Sequence, residues 1–172
     1  TRGPGAANAS LGIHTAHQDS TPVILLLGQV GRAMMDREAF QEVEFRQMYA
    51  PLSKWVAQID DPARIPEMVS RAFHVATSGR PGPVVLALPE DMQREQAAAN
   101  DAVRYTEIQA APLPADLDRL GEMLSVAERP FVILGGSGWN ENACQDFQKF
   151  AEVFDLPVGA AFRRQDLFNN AH

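Results

Sequence analysis

Apolar residues along the chain form short runs and helical repeats that alternate. Residues 22–28, PVILLLG, are a continuous apolar run ending in glycine, which is typical of a parallel strand buried on both faces. Residues 63–78 carry apolar side chains at i, i+3, i+4 and i+7 and predict an amphipathic helix. The run VVLAL within residues 81–91 predicts another strand, bounded by prolines. This alternation indicates an α/β fold with mostly parallel sheets.

The remaining segments continue the alternation on both sides of a polar interval. Further helices are predicted at 6–17, 42–50, 115–128 and 142–154, and further strands at 53–59, 130–136 and 157–162. Residues 93–112 interrupt the pattern with small, polar and proline residues, as linkers do. We therefore predict parallel sheets flanked by helices in two partial three-layer domains, residues 1–92 and 113–172, joined by that linker.

Charge and composition narrow the classes of partner. The net charge of −7 comes from 22 acidic and 15 basic residues without a long like-charge run, which argues against nucleic acid and anionic membranes as partners. No apolar run approaches the roughly 20 residues of a membrane span, so we expect a cytoplasmic protein. The single Cys144 excludes an intrachain disulfide framework, and His14 and His17 lack a third ligand, so no metal site is predicted.

A glycine-rich turn opens the chain. In GPGAAN, residues 3–8, glycines allow close approach of backbone to a ligand, and the predicted helix offers free N–H groups. Asn8 can donate and accept hydrogen bonds there. The alternative is a tight strand-to-helix turn whose asparagine bonds local backbone. Because such a turn normally follows a strand, we expect the chain to be an internal piece of a longer protein.

Two other segments follow predicted strands, where ligands of parallel sheets collect. AFQE at 39–42, soon after GQV at 28–30, offers an amide and a carboxylate beside an aromatic ring, although Gln41 and Glu42 also fit solvated residues at a helix start. LGGSG at 134–138 lies between a strand and a helix and could hold a phosphate on backbone N–H groups, but it lacks the full G-x-G-x-x-G spacing.

Taken in order, these segments resemble those of thiamine diphosphate-dependent enzymes related to acetohydroxyacid (acetolactate) synthase. The matching strings are RGPGAAN at 2–8, DSTPVILLLGQV at 19–30, EAFQE at 38–42, ATSGRPGPVVLALPEDMQ at 76–93 and RPFVILGGSG at 129–138. The resemblance implies that residues 1–92 are the later part of the domain that binds the cofactor's pyrimidine ring and that 113–172 begin the central domain. The domain that binds the diphosphate through Mg²⁺ would lie outside this chain.

The resemblance also assigns roles to single residues. Pro4 and Asn8 match the turn at the pyrimidine side of the cofactor. Gln41 matches the glutamine that lines the cofactor and the catalytic centre, and Phe40 matches its apolar neighbour near the substrate. In flavin-containing members, the residues along the FAD match Asp19, Arg80, Gly135, Gly136 and Gly138.

The function implied by the resemblance is that of a lyase or carboligase acting on a small 2-oxo acid. Thiamine diphosphate and Mg²⁺ would be its cofactors, with FAD as in flavin-containing members, and the full protein would be a homodimer or homotetramer. Two segments depart from the family: ALPED places Glu90 where the synthases usually have lysine, and FRRQDLF at 162–168 carries Arg163 and Arg164, which fit either anion binding or solvent. The alternative is an FAD- or NAD-binding module without carboligase activity.

Overall fold

The computed structural model describes residues 1–106, 108 and 110–172, which form two compact units, Thr1–Ile108 and Gln109–His172. The first unit contains α1 (Gly3–Asp19), β1 (Ile24–Gln29), α2 (Phe45–Tyr49), β2 (Trp55–Gln58), α3 (Ile65–Thr77) and β3 (Val84–Pro89). The second contains α4 (Pro114–Ser125), β4 (Val132–Leu134), α5 (Glu141–Val153) and β5 (Val158–Ala160). The predicted α/β class with parallel sheets and flanking helices is confirmed.

The first sheet is parallel and has the order β1-β3-β2. Side chains of the central strand alternate between two apolar clusters, as the period of two in a strand requires. Val84 and Leu86 pack in one cluster with residues of α3, whereas Val85 and Ala87 pack in the other with residues of α1 and α2. Helices therefore cover both faces of β3, which gives this unit its three layers.

The prediction that residues 22–28 are buried on both faces is wrong for β1. This strand lies at one end of the described sheet, and the side chain of Leu26 is 57% exposed while that of Leu27 is 2% exposed. The physical reason is that β1 is an edge strand of the described sheet, paired on one side only, by β3, so Leu26 has fewer neighbours to cover it. Beside the end of β1, the N–H of Gly28 donates to the carbonyl of Thr1 at 3.0 Å.

Two helices begin at other residues than the sequence predicted, because of a proline in one case and a turn in the other. Helix α1 begins at Gly3 rather than at residue 6, because Pro4 fits a first helical turn, where its missing N–H costs no hydrogen bond. Helix α2 begins at Phe45 rather than at residue 42, since residues 39–42 form a turn before it, and it ends at Tyr49, where a 3₁₀ turn containing Pro51 follows. No helix in the described part of the chain is long and apolar enough to cross a membrane.

Part of the interval predicted as a linker packs on α3. The ring of Tyr105 stacks on Phe73 with centroids 6.4 Å apart, and its hydroxyl hydrogen-bonds that of Thr77. The hydroxyl of Ser70 donates to the carbonyl of Val103. The predicted domain boundaries at 92 and 113 stay a prediction.

The second unit has a short parallel sheet in which Val132 pairs with Val158 and Leu134 with Ala160. Helix α5 connects its two strands, and the side chain of Asn140 caps that helix by accepting from the N–H of Ala143 at 2.9 Å. The turn between β4 and α5 carries the glycines that the sequence singled out.

Candidate functional site

The carboxyl ends of β1, β3 and β2 form one edge of the first sheet, because the strands are parallel. Arg32, just after β1, joins all three ends. Its Nε donates to Asp91 Oδ2 at 2.9 Å, its backbone N–H to Asp91 Oδ1 at 2.9 Å, and its Nη1 to the carbonyl of Asp60 at 2.6 Å. Hydrogen bonds from Arg32 hold the pKa of Asp91 below its ordinary value. This arginine therefore fixes the loops that surround the edge.

Glu90, at the position where the resemblance leads one to expect lysine, is paired with arginine on two sides. Its carboxylate forms an ion pair with Arg2, which precedes α1, and accepts from Arg94 Nη2 at 2.6 Å. Its backbone N–H donates to the carbonyl of Gln29 at 3.0 Å. The added negative charge is thus balanced locally, and the side chain links the opening turn to the end of β3.

The opening turn and the AFQE segment meet at this edge. The N–H of Gly3 donates to the carbonyl of Gln41 at 3.1 Å. A side chain at Gly3 would place its Cβ 3.1 Å from the same carbonyl oxygen, so glycine permits this close approach. Pro4 and Asn8 are exposed on the first turns of α1, and the ring of Phe40 is 82% exposed. Four of the predicted site residues therefore lie on neighbouring segments.

The side chain of Glu42 forms its hydrogen bonds with the backbone of its own turn. Its carboxylate accepts the backbone N–H of Asp36 at 2.6 Å and that of Ala39 at 2.9 Å. These bonds, that of Ala39 first, hold the pKa of Glu42 below its ordinary value. The sequence analysis offered two interpretations of Glu42, as a ligand contact or as a solvated residue at a helix start. Neither predicted these hydrogen bonds to the backbone, because the residue types of AFQE are compatible with all three arrangements.

Two buried residues missed by sequence reasoning hold the same region. Gln29 is 1% exposed, its Nε2 donates to the carbonyl of Val43 at 2.8 Å, and its Oε1 accepts from the N–H of Val30 at 2.9 Å. Buried Tyr49 donates its hydroxyl to the carbonyl of Ala6 in α1. A lone amide at the end of an apolar strand was the available signal for Gln29, since a buried amide must be hydrogen-bonded.

Asp19 and Arg80 lie at the other end of the sheet, near the amino ends of β1 and β3. The Arg80 guanidinium donates to Ser20 Oγ at 2.7 Å and to the carbonyl of Gln18 at 3.1 Å. It therefore caps the end of α1, a position that suits a cation. The structure brings the Asp19 segment and Arg80 together, but it does not bring them to Gln41.

The glycine turn after β4 is tied by two side chains. Trp139 Nε1 donates to the carbonyl of Gly135 at 2.9 Å, and the Arg164 guanidinium donates to that of Gly136. Gly136 and Gly138 have φ of 77° and 88°, and the space where their side chains would stand is open. Among the described residues, no group of three or more His, Cys, Asp or Glu could hold a metal ion.

Comparison with protein families gives two matches in chain order. The model described as thiamine pyrophosphate enzyme, N-terminal TPP binding domain, matches residues 1–49, and that of the thiamine pyrophosphate enzyme central domain matches 117–172. Together they cover more than half of the chain.

Similar proteins carry related names. A probable acetolactate synthase large subunit of Methanocaldococcus jannaschii is 34% identical over 100% of this chain and 30% of its own length. The acetolactate synthase large subunit of Lactococcus lactis is 39% identical over 92% of this chain and 28% of its own length, and the glyoxylate carboligase of Escherichia coli O157:H7 is 32% identical over 92% and 27%. The chain thus spans under a third of the length of these relatives.

A solved structure shows the same architecture. The benzoylformate decarboxylase from Polynucleobacter necessarius superposes with a TM-score of 0.84 at 30% sequence identity, over 93% of this chain and 30% of that protein. The shared fold covers both described units of the chain.

Proposed function

The chain belongs to the thiamine pyrophosphate enzyme family, and from that premise we propose that the complete enzyme is an acetolactate synthase-like lyase or carboligase acting on a 2-oxo acid. The names of similar proteins include a synthase, a carboligase and a decarboxylase, so they agree on the class of enzyme and differ in the reaction. An FAD- or NAD-binding module without carboligase activity is not favoured, because one of the two matching models is the thiamine-binding domain itself.

The observation that carries the proposal is the contact between the opening turn and the AFQE turn. The hydrogen bond from Gly3 to Gln41 joins them at the carboxyl edge of a parallel sheet, where such sheets bind ligands. The residues fit thiamine diphosphate in their chemistry. Neutral amides of Asn8 and Gln41 and the exposed ring of Phe40 lie near this edge, while the carboxylates of Glu42, Glu90 and Asp91 are already held by partners.

These residues would divide the work at the bound cofactor. Thiamine diphosphate, when bound, supplies the carbanion chemistry at the keto carbon of the substrate. The Gln41 amide can donate a hydrogen bond to a substrate oxygen without adding charge where negative charge develops. Phe40 offers an apolar surface that excludes water from the substrate, and Asn8 and Pro4 would hold the pyrimidine side.

Further parts of the proposal concern the complete enzyme. We propose that Mg²⁺ is held by its C-terminal domain, as the family resemblance implies; among the described residues, no group of three or more His, Cys, Asp or Glu could hold a metal ion. We propose that FAD lies along the turn at Gly135–Gly138, where there is open space beside Gly136 and Gly138. The guanidinium of Arg80 already donates hydrogen bonds at the end of α1, so Arg80 adds little support for an FAD contact. We also propose a cytoplasmic homodimer or homotetramer whose partners are small 2-oxo acids rather than nucleic acid or membrane.

The test uses the complete enzyme. Purified full-length protein is incubated with thiamine diphosphate, Mg²⁺ and, in turn, pyruvate, glyoxylate and benzoylformate, and CO₂ release and ligated products are measured. We expect turnover of at least one acid that disappears when thiamine diphosphate is removed. If no 2-oxo acid is consumed in a cofactor-dependent way, the proposal is wrong.

A further inference from the structure

We propose that Glu42 is a positioning residue whose carboxylate fixes the turn that carries Phe40 and Gln41. The geometry of residues 36–42 carries this inference by itself, and only its consequence for turnover rests on the proposed function. Glu42 would touch neither substrate nor cofactor. It would act through the backbone that holds Gln41.

The turn has a backbone that needs to be held. Asp36, Glu38 and Gln41 have φ of 61°, 53° and 69°, in the left-handed region that residues other than glycine seldom adopt. Three such residues within six positions persist only where the surroundings determine the conformation. The turn therefore requires contacts that compensate for its backbone.

Glu42 supplies these contacts from inside the turn. One carboxylate oxygen accepts the N–H of Asp36 at 2.6 Å and the other accepts that of Ala39 at 2.9 Å, while the Glu42 N–H donates to the carbonyl of Ala39 at 2.9 Å. A carboxylate can accept on both oxygens, whereas a glutamine amide offers one acceptor and one donor. Glutamine at this position would leave one of the two N–H groups facing an NH₂ group.

The far side of the turn is fixed to the sheet. The carbonyl of Gln41 accepts from Gly3, and the carbonyl of Val43 accepts from the buried Gln29 amide. Residues 41 and 43 are thus attached to α1 and β1, and Glu42 attaches the remainder of the turn to them. Loss of its charge should loosen residues 36–40 and the orientation of Gln41 without unfolding the sheet.

The first test measures backbone opening and needs no activity. Hydrogen exchange followed by mass spectrometry is compared for the complete wild-type protein and for Glu42→Gln. We expect exchange in peptides covering residues 36–40 to become about tenfold faster or more, with α3 and β3 unchanged. Glu44→Gln is the matched control, since Glu44 caps α2 through the N–H of Arg46 and does not bond this turn. Unchanged exchange in Glu42→Gln would overturn the proposal.

The second test asks whether Glu42 acts through Gln41. In a double-mutant cycle, Glu42→Gln should lower kcat about tenfold in the wild-type background but less than about twofold in Gln41→Ala, with Glu44→Gln near wild type in both. Equal effects in both backgrounds would contradict the positioning role. If Glu42→Gln does not fold, Glu42→Asp keeps the charge with a shorter reach and must show faster exchange at 36–40 alone. A wild-type protein without activity would refute the proposed function and leave the exchange test standing.

Discussion

Gln41 combines a left-handed backbone with a half-buried side chain at the carboxyl edge of the first sheet. We expect Gln41→Ala in the complete enzyme to lower kcat by roughly 10- to 1000-fold, the loss typical of one oriented polar group. The melting temperature should change little, because the Gln41 contact with Gly3 is made by its carbonyl, which alanine retains. Steady-state kinetics with a 2-oxo acid and thermal unfolding check this.

The variant Gln41→Gly distinguishes the effect of losing the side-chain amide from the effect of the left-handed backbone at this position. Glycine removes the same side chain but adopts a positive φ without strain, so this variant should lose as much turnover as Gln41→Ala and unfold at the same or a higher temperature. Turnover within about twofold of wild type in both variants would remove Gln41 from the site. Loss of folding in both would assign it a packing role instead.

The ion pair between Asp91 and Arg32 lets us predict how the stability of the protein depends on pH. Hydrogen bonds from the backbone and side chain of Arg32 lower the pKa of Asp91 in the folded protein. The stability this provides is fully present above the ordinary aspartate pKa of about 3.9 and is lost as pH falls through the lower folded pKa. Asp91→Asn should therefore lose less stability than wild type between about pH 5 and pH 3.

Urea unfolding at a series of pH values measures this difference. Asp101→Asn, an exposed residue of the same unit, controls for the loss of one negative charge. Parallel pH profiles for wild type and Asp91→Asn would show that the pair contributes nothing to acid stability.

At the scale of elements, two glycines of α1 should respond to alanine in opposite directions. A Cβ at Gly3 would lie 3.0 Å from Val43 Cγ2 and 3.1 Å from the carbonyl oxygen of Gln41, so Gly3→Ala should destabilise the protein by about 1–3 kcal/mol. A Cβ at Gly12 would meet nothing within 4 Å, and Gly12→Ala should stabilise it by about 0.5–1 kcal/mol through helix propensity. Denaturant midpoints give both values.

A stabilising Gly3→Ala would mean that the opening turn can move away from the AFQE turn. Gly12→Ala provides the internal comparison, because both substitutions add one methyl group to the same helix. The contrast tests whether close approach, rather than general flexibility, explains the glycine at residue 3.

The sequence predicted secondary-structure elements best where the spacing of apolar residues matches the side of the element that is buried. The repeat in α3 and the run VVLAL of β3 were both identified, since one side of the helix, at Met68, Ala72 and Ala76, and the strand from Val84 to Ala87 are buried. The exposure of Leu26 was not predictable from its apolar run, because a run does not tell which strand of a sheet lies at its edge. Burial on both faces depends on neighbours that only the topology supplies.

The sequence identified the segments of the candidate site but not how they are arranged, and the roles of the single residues stay predictions. The meeting of Gly3 with Gln41 is a long-range contact, and the same letters fit a simple turn. The separation of Arg80 from Gln41 follows from α1 running back along the sheet, which puts its last turn at the opposite end of the strands from its first. The side-chain direction of Glu42 depends on the unusual φ values of its turn, which no pattern of polar and apolar residues encodes.

At the scale of the whole molecule, we predict that the complete enzyme is a homodimer or homotetramer, as the family resemblance implies. Two exposed apolar side chains, Leu11 of α1 at 75% and Phe40 of the AFQE turn at 82%, are suited to cover by a second subunit. Light scattering coupled to size exclusion should give at least twice the mass of one chain. An active full-length protein that remains monomeric would contradict this prediction.

The purified 172-residue chain itself should show no thiamine-dependent turnover of a 2-oxo acid. It matches the N-terminal and central family models and under a third of the length of its relatives, and its described residues contain no group of three or more His, Cys, Asp or Glu that could hold a metal ion. A cofactor with a diphosphate needs cationic ligands at that end, and the carboxyl edge described here offers arginines already paired with Glu90, Asp91 and Glu95. Assays with pyruvate, thiamine diphosphate and Mg²⁺ should remain at background, with the full-length protein as the positive control. Measurable cofactor-dependent CO₂ release by the chain alone would show that these residues are sufficient for the chemistry.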